Sequence, residues 1–122
     1  MDFENYYYRI KYCDITFGHG TFGIEYIPQC KVFEGHFPEE AVCPGAMNID
    51  IVRECTGKIL GFTELHLTEI KQCRFLELMK PGMKGITTLH INVEKENNVY
   101  KVTAAIKDDS ITCMVFKGRM TI

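Results

Sequence analysis

The strongest structural signal in the chain lies in residues 33–50, which read FEGHFPEEAVCPGAMNID. A loop that contains glycine and proline leads to Pro44-Gly45, and a helical pattern begins directly after it. Proline suits a first helical position, because the N–H that it lacks would have no partner there. The stretch therefore predicts a loop that carries His36 and a helix that carries Asp50 about one turn inside.

The predicted helix covers residues 46–60, and Gly61 follows as its stop. Apolar residues surround most of it, so we expect it to be largely enclosed by protein. At about 100° per residue, the positions of Asp50, Glu54 and Gly57 share one narrow stripe. Two interpretations stay open: the small residues leave room for a molecule along the helix, or they reflect looser packing against a sheet.

The rest of the chain has the alternating pattern of strands and the turn residues of hairpins. Before the helix, residues 1–12 fit a short helix or an edge strand, and residues 17–23 fit a turn. Residues 21–32 fit a strand in which Pro28 indicates a sheet edge, a bulge or a break. After the helix, the predicted strands are 65–75, 85–93, 99–106 and 111–122, with a loop at 94–98. One helix with five or six strands predicts an α+β domain with an antiparallel sheet over residues 1–122.

The composition excludes several classes of function. The chain has 122 residues, 46% of them hydrophobic and 25% charged, with a formal net charge of −2. No basic cluster indicates a nucleic-acid partner, and no apolar run is long enough for a membrane span. The acidic N-terminus does not resemble a signal peptide, so we expect a cytoplasmic protein.

Six cysteines are scattered along the sequence, at positions 13, 30, 43, 55, 73 and 113. Without a sign of secretion, their placement on mostly apolar faces predicts reduced, largely buried thiols. No Cys-x-x-Cys pair and no histidine pair with the spacing of a helical zinc site occurs. We therefore expect no metal.

Three residues of the opening stretch carry groups suited to proton chemistry beside a carbonyl: His36 as a base, Asp50 as an acid and Gly45 as a free N–H at a helix start. Each also has a structural interpretation. The histidine can stabilise its loop, the aspartate can favour the positive end of the helix dipole, and the glycine can serve the turn alone.

The run Gly-His-Phe-Pro, the later Val42-x-Pro44-Gly45 and an acid fourteen residues after the histidine resemble the 3-hydroxyacyl-[acyl carrier protein] dehydratases. The resemblance extends over roughly residues 13–122 and includes Arg74-Phe75 and a later Pro-Gly. It implies the hotdog fold, in which one antiparallel sheet wraps around one long central helix. It also implies elimination of water from a 3-hydroxyacyl thioester to give the trans-2-enoyl thioester, in fatty-acid or polyene-type biosynthesis, without a cofactor.

The resemblance assigns roles to individual residues. His36 removes the proton from C2, Asp50 handles the departing C3 hydroxyl as the acid, and the N–H of Gly45 polarises the thioester carbonyl. The residues implied to contact the substrate are Phe37, Pro44, Ala46, Glu54 and Gly57. The cations considered for contact with an acidic carrier protein are Lys71, Arg74, Lys80 and Lys84, although a merely solvated lysine-bearing face is the simpler interpretation.

Several positions depart from the family pattern and indicate a divergent branch. Ala41 stands where proline is usual, Cys43 where methionine is usual, and Glu54 where glutamine is usual. A second carboxyl beside Asp50 favours protonation of one of the two, which would tune the acid or disturb its hydrogen bonds. Leu78 and Met83 are further departures near the later Pro-Gly.

Family members are homodimers or dimers of dimers, so the resemblance implies that His36 and Asp50 meet across an interface between two copies. Two other functions stay open. A hotdog thioesterase would hydrolyse the thioester, but it usually lacks the His-Phe-Pro lead-in. A non-catalytic subunit would bind a carrier protein or another partner without turnover, and Glu54 is the feature that favours it.

Overall fold

A computed structural model describes residues 2–34, 43–80 and 86–122. Within these ranges, six antiparallel strands form one sheet against which one α-helix packs. The strands are β1 (Tyr8–Thr16), β2 (His19–Tyr26), β3 (His66–Phe75), β4 (Thr87–Glu96), β5 (Val99–Asp108) and β6 (Ile111–Thr121), the helix is α1 (Gly45–Leu60), and a short 3₁₀ turn covers Lys31–Phe33.

The order of the strands across the sheet is β1-β2-β4-β5-β6-β3. The last three strands of the chain form the consecutive hairpins that their alternating pattern predicts. Strand β3 follows the helix but lies at the far edge, where it pairs with β6 from His66 opposite Thr121 to Phe75 opposite Met114. In chain order, the helix therefore connects β2, which lies near one edge of the sheet, to β3 at the opposite edge.

The core lies between the inner face of the sheet and helix α1. Side chains of the central strands alternate between buried and exposed, as expected for a sheet with one covered face. The helix contributes Ile51, Val52 and Cys55, all fully buried. The largest buried side chains on the four central strands are Phe22, Ile24, Leu89, Ile91, Val102, Ile106, Met114 and Met120.

The helix begins and ends close to the predicted positions. Pro44 is its extended N-cap, and Gly61 is its C-cap in the left-handed region with φ 78°. The N–H groups of Gly61 and Phe62 both donate to the carbonyl of Gly57, at 2.8 and 2.9 Å. Glycine is needed at position 61 because a side chain disfavours this backbone conformation.

Two predicted boundaries before the helix were wrong. The turn expected at residues 17–23 contains only Phe17 and Gly18, and β2 already begins at His19. Gly20 lies inside that strand because the helix passes close: an added Cβ would lie 2.7 Å from Cδ1 of Ile59. Glycines in this segment therefore mark close packing rather than a longer turn.

The strand predicted over residues 21–32 ends at Tyr26. The segment that contains Pro28 turns instead, with the N–H of Cys30 donating to the carbonyl of Ile27 at 3.1 Å. Proline cannot donate to a ladder, so the strand breaks there. Of the two interpretations of residues 1–12, the edge strand is correct for its second half, since β1 begins at Tyr8.

The loop predicted at residues 94–98 is shorter than expected. Strand β4 continues to Glu96, and only Asn97 and Asn98 form the turn to β5. Asn97 has φ 57°, a conformation that asparagine tolerates better than most residues.

All six cysteines are free thiols, and four of them are buried. Among the residues that the structure describes, no group of three or more histidine, cysteine or acidic side chains is placed to hold a metal ion. Over the same residues, no helix has the length and apolar character to cross a membrane.

Candidate active site

A backbone hydrogen bond connects the residue before the N-cap of helix α1 to the segment that follows β3. The N–H of Cys43 donates to the carbonyl of Met79 at 2.6 Å, and Pro44 then enters the helix in an extended conformation. As the first residue of the helix, Gly45 has an N–H with no acceptor within the helix. A carbonyl oxygen placed at this end of the helix would be polarised by that N–H and by the helix dipole.

Gly45 lies under the ring of Phe75. An added Cβ would lie 2.6 Å from Cζ of that ring, so a larger residue would displace the phenyl group. Phe75 is the last residue of β3 and is itself half-exposed. The glycine therefore allows the ring to lie against the helix start, whether or not its N–H also contacts a substrate.

Asp50 projects from the second turn of the helix and is only partly covered. Its side chain is 37% exposed, and its Oδ1 lies 3.5 Å from Nε of Arg53. The helix was expected to be enclosed nearly all round, yet in the single chain this carboxylate reaches solvent. Of the two carboxylates in the predicted stripe, that of Asp50 has fewer hydrogen-bond and ion-pair partners.

Glu54 is the opposite case, because its carboxylate is nearly buried and fully engaged by its own chain. Oε1 accepts hydrogen bonds from the N–H groups of Phe3 and Glu4 at 3.0 and 3.1 Å and from the hydroxyl of Tyr8 at 3.0 Å. Oε2 lies 3.0 Å from the Phe3 nitrogen and 3.7 Å from a guanidinium nitrogen of Arg53. In this arrangement Glu54 anchors residues 3–8 to the helix.

The other predicted substrate contacts near the helix differ in their surroundings. Pro44 is half-buried and Ala46 is exposed, both at the helix start beside Gly45. At Gly57, an added Cβ would lie 2.7 Å from the carbonyl oxygen of Phe62. The space that this small residue leaves is thus occupied by the turn that ends the helix. His36 and Phe37 lie outside the described residues.

The cations predicted for a carrier protein are spread along β3 and the segment after it. Lys71 and Arg74 are exposed on that strand, and Lys80 is half-buried beyond it. Lys71 belongs to a shallow groove on the outer face of the sheet, where Lys101, Lys117 and Arg119 also lie. Of the predicted cations that the structure describes, only Lys71 lines this groove, and Lys84 lies outside the described residues.

One polar cluster beside the helix start was not predicted. Asn48 is completely buried, and its Oδ1 accepts hydrogen bonds from the hydroxyls of Tyr7 and Tyr26 at 3.0 and 3.1 Å. Burial raises the pKa of both tyrosines well above the ordinary value, so both hydroxyls stay protonated donors. The only signal in the sequence was a single asparagine at a helix position flanked by apolar residues.

Buried thiols near the site are not nucleophiles. Burial raises the pKa of Cys43 to about 12, so the thiol is protonated at neutral pH. At the helix start, the Gly45 amide offers a hydrogen-bond donor that can polarise a carbonyl, and Asp50 offers a partly exposed carboxylate that can exchange a proton.

Comparisons with known proteins identify the family of the chain. The family model described as ApeI-like, ApeI dehydratase, matches residues 18–115. The chain is 29% identical to the 3-hydroxyacyl-[acyl-carrier-protein] dehydratase FabZ of Lactobacillus helveticus over 68% of its length. It is 30% identical to the FabZ of Pseudoalteromonas translucida over 67% of its length, and it spans about 60% of the length of each relative.

Solved structures show the same fold at lower identity. The dehydratase heterocomplex ApeI:P from Xenorhabdus doucetiae contains a chain with TM-score 0.73 and 18% identity, over 93% of this chain and 96% of that one. The HP0420 homologue from Helicobacter felis has TM-score 0.71 and 8% identity, over 100% of this chain and 92% of that one. The architecture is the hotdog fold, and the chain belongs to the ApeI-like dehydratase family as a divergent relative of FabZ.

Proposed function

We propose that this protein eliminates water from a 3-hydroxyacyl thioester carried on acyl carrier protein and releases the trans-2-enoyl thioester. The observation that carries the proposal is the helix start, where an amide without a helical acceptor lies about 1.4 turns before a partly exposed carboxylate. The FabZ relatives are named for this reaction, which supports the choice of substrate.

In the proposed reaction, the carbonyl oxygen of the thioester accepts a hydrogen bond from the N–H of Gly45. His36 removes the proton from C2, and the electron pair forms the C2–C3 double bond as the C3–O bond breaks. Asp50 delivers a proton to the departing hydroxyl, which leaves as water. The carboxylate that results would face the guanidinium of Arg53, whose Nε lies 3.5 Å away. The carbonyl serves as the electron sink, so no cofactor enters the scheme.

Helix geometry supports a site shared by two copies of the chain. Five residues separate Gly45 from Asp50, which corresponds to about 7.5 Å along the axis and about 140° around it. The two groups therefore face different directions on one helix. We propose a homodimer in which His36 and Gly45 of one protomer meet Asp50 of the other, with reaction in the cytoplasm.

A mixing experiment tests this arrangement. His36→Ala and Asp50→Asn proteins, each inactive alone, are unfolded together in equal amounts and refolded. Random pairing gives mixed dimers in half of the population, and each has one intact site, so activity should return to about one quarter of the wild-type value. Recovery of no activity, with dimers present, would show that both residues serve the same protomer's site.

Turnover itself is tested with a short 3-hydroxyacyl thioester of pantetheine and with the same acyl group on acyl carrier protein. A dehydratase gives the conjugated enoyl thioester, which absorbs in the ultraviolet, and no free thiol. A thioesterase would instead release a thiol that a colorimetric reagent detects. Neither product, from a folded wild-type protein, would contradict the proposal and favour a non-catalytic subunit.

A partner of a different sequence is the second arrangement that we consider, because the similar ApeI chain was solved in a heterocomplex. It predicts that the purified chain alone is a monomer or an inactive dimer. Sedimentation of the purified chain distinguishes the two: an active homodimer excludes the requirement for another subunit.

A further inference from the structure

Three other parts of the chain meet helix α1 at Asn48, in the turn that follows Gly45. Tyr7 comes from the segment before β1, Tyr26 from the end of β2, and Met79 from the segment after β3. Both hydroxyls donate to Oδ1 of Asn48, and the sulfur of Met79 lies 3.8 Å from Nδ2. The rings of Tyr7 and Tyr26 also pack edge to face at 5.4 Å.

Met79 connects this cluster to the helix start. Its sulfur lies 3.6 Å from the hydroxyl of Tyr26, while its backbone carbonyl accepts the N–H of Cys43 at 2.6 Å. The residue that bonds to the asparagine cluster therefore also fixes the backbone two residues before Gly45. Tyr7 is tied in as well, because its carbonyl accepts the N–H of Ile27.

A buried asparagine needs a reason, because an apolar residue would pack at this position without the cost of losing water. A polar network whose members are all paired fixes one arrangement, and a partly paired network is costly. Here two buried hydroxyls and one amide oxygen satisfy one another, and loss of either hydroxyl leaves the amide with one donor fewer. The network thus favours one position of the first turn over slightly shifted ones.

We propose that Asn48, with Tyr7 and Tyr26, is a positioning residue that sets the direction of the Gly45 N–H toward the thioester carbonyl. The inference rests on the proposed dehydratase function and adds to it a role for these three buried residues. Asn48 lies about 4.5 Å further along the same helix than Gly45, so the cluster acts through the rigid first turn and not through the substrate. A misplacement of about 1 Å at a reacting group can cost on the order of a hundredfold in rate.

The test compares Tyr7→Phe, Tyr26→Phe and the double variant with the wild type, because each change removes one hydroxyl and keeps the ring. Bound butyryl-pantetheine with a ¹³C-labelled thioester carbonyl reports the hydrogen bond through its infrared stretching band. We expect the wild type to lower this band relative to the free thioester. In each single variant the band should move back toward the free value and kcat should fall about tenfold, with KM within about twofold, since part of a donor's effect is lost.

Tyr8→Phe is the matched control. It also removes a tyrosine hydroxyl that bonds to helix α1, but it does so at Glu54, more than one turn beyond Asn48. It should lower stability by a similar amount and leave the carbonyl band and kcat unchanged. Asn48→Leu removes the shared acceptor and should match the double tyrosine variant if it folds.

The outcomes separate the inference from the function on which it rests. A double tyrosine variant with the wild-type band and kcat would overturn the positioning role while leaving the dehydratase function intact. Equal losses in Tyr8→Phe would also overturn it, because the effect would then be general destabilisation. A wild-type protein that binds the thioester with no change in the band would remove the donor role of Gly45 and the inference with it.

Discussion

Asp50 and Glu54 lie one helical turn apart and carry the same charged group, yet the two carboxylates differ in exposure and in hydrogen-bond partners. Glu54 is 5% exposed and accepts hydrogen bonds from two backbone N–H groups and a tyrosine hydroxyl. Asp50 is 37% exposed and contacts the guanidinium of Arg53 at 3.5 Å. A carboxylate whose oxygens are already occupied holds structure together, whereas one with an open side is available for proton transfer. Glu54, the residue whose side chain favoured a non-catalytic subunit in the sequence, therefore has a structural role in this chain.

The largest expected effect is on catalysis at Asp50. Asp50→Asn keeps the shape of the side chain but removes the proton that the proposed reaction needs, so kcat for dehydration should fall by about 10²–10⁴. Glu54→Gln is the matched change one turn away and should reduce kcat far less. Steady-state rates of both variants, with circular dichroism to confirm folding, provide the measurement. Equal losses would show that the two carboxylates act together at the site.

The reverse ranking is expected for stability. Glu54→Ala leaves the N–H groups of Phe3 and Glu4 and the Tyr8 hydroxyl without their acceptor, which should cost about 2–4 kcal/mol in the free energy of unfolding. Asp50→Ala removes a partly exposed ion pair and should cost less than about 1 kcal/mol. Urea denaturation of both variants measures the difference. Similar costs would mean that the two carboxylates contribute alike to the fold.

A smaller effect tests whether the chain itself fills the space beside Gly57, which follows Glu54 on the same face of the helix. Gly57→Ala places a methyl group against the Phe62 carbonyl, and we expect a net loss of about 1–2 kcal/mol after the better helix propensity of alanine is counted. Gly61→Ala is the control, because nothing lies within 4 Å of its added Cβ and its cost is conformational alone. A stabilised Gly57→Ala protein would instead indicate free space along the helix.

The smallest expected effect is a weak dependence of the free energy of unfolding on pH that His90 contributes. Burial lowers the pKa of His90, with help from nearby Lys107 and His19, so the unfolded chain binds more protons than the folded one at mildly acidic pH. Stability should therefore fall as pH decreases from about 6.5 through the folded pKa, by less than about 0.5 kcal/mol after solvent screening. His90→Asn should flatten the dependence in this window. An unchanged slope would assign it to other groups.

The sequence predicted the helix, the meander of β4 to β6 and the positions of Gly45 and Asp50 on the helix, because each depends on local signals. Proline and glycine mark the ends of the helix, and alternation marks the strands. The partners of Glu54 could not be predicted in this way, since the hydrogen bonds from Phe3 and Glu4 join residues 51 and 50 positions apart.

The same limit applies to the cluster at Asn48. Its two tyrosine partners lie 41 and 22 residues earlier in the chain, and only tertiary packing of the segment before β1 and of the end of β2 brings them to it. Sequence spacing also placed Glu54 and Gly57 on one stripe correctly, but it could not show that the chain's own backbone fills that stripe. Local patterns give the position of a residue on an element, and tertiary contacts decide what the residue does there.

The position of β3 at the edge beside β6 has a consequence for the order in which the protein is made. During synthesis β3 emerges directly after the helix, but its partner β6 is the last strand, and their pairing begins with His66 opposite Thr121. The strand that carries the exposed Ile70 and Phe75 therefore has no pairing partner until β6 has left the ribosome. A chain that lacks β6 would present two open strand edges, β3 and β5, and so require protection from aggregation until β6 has been made.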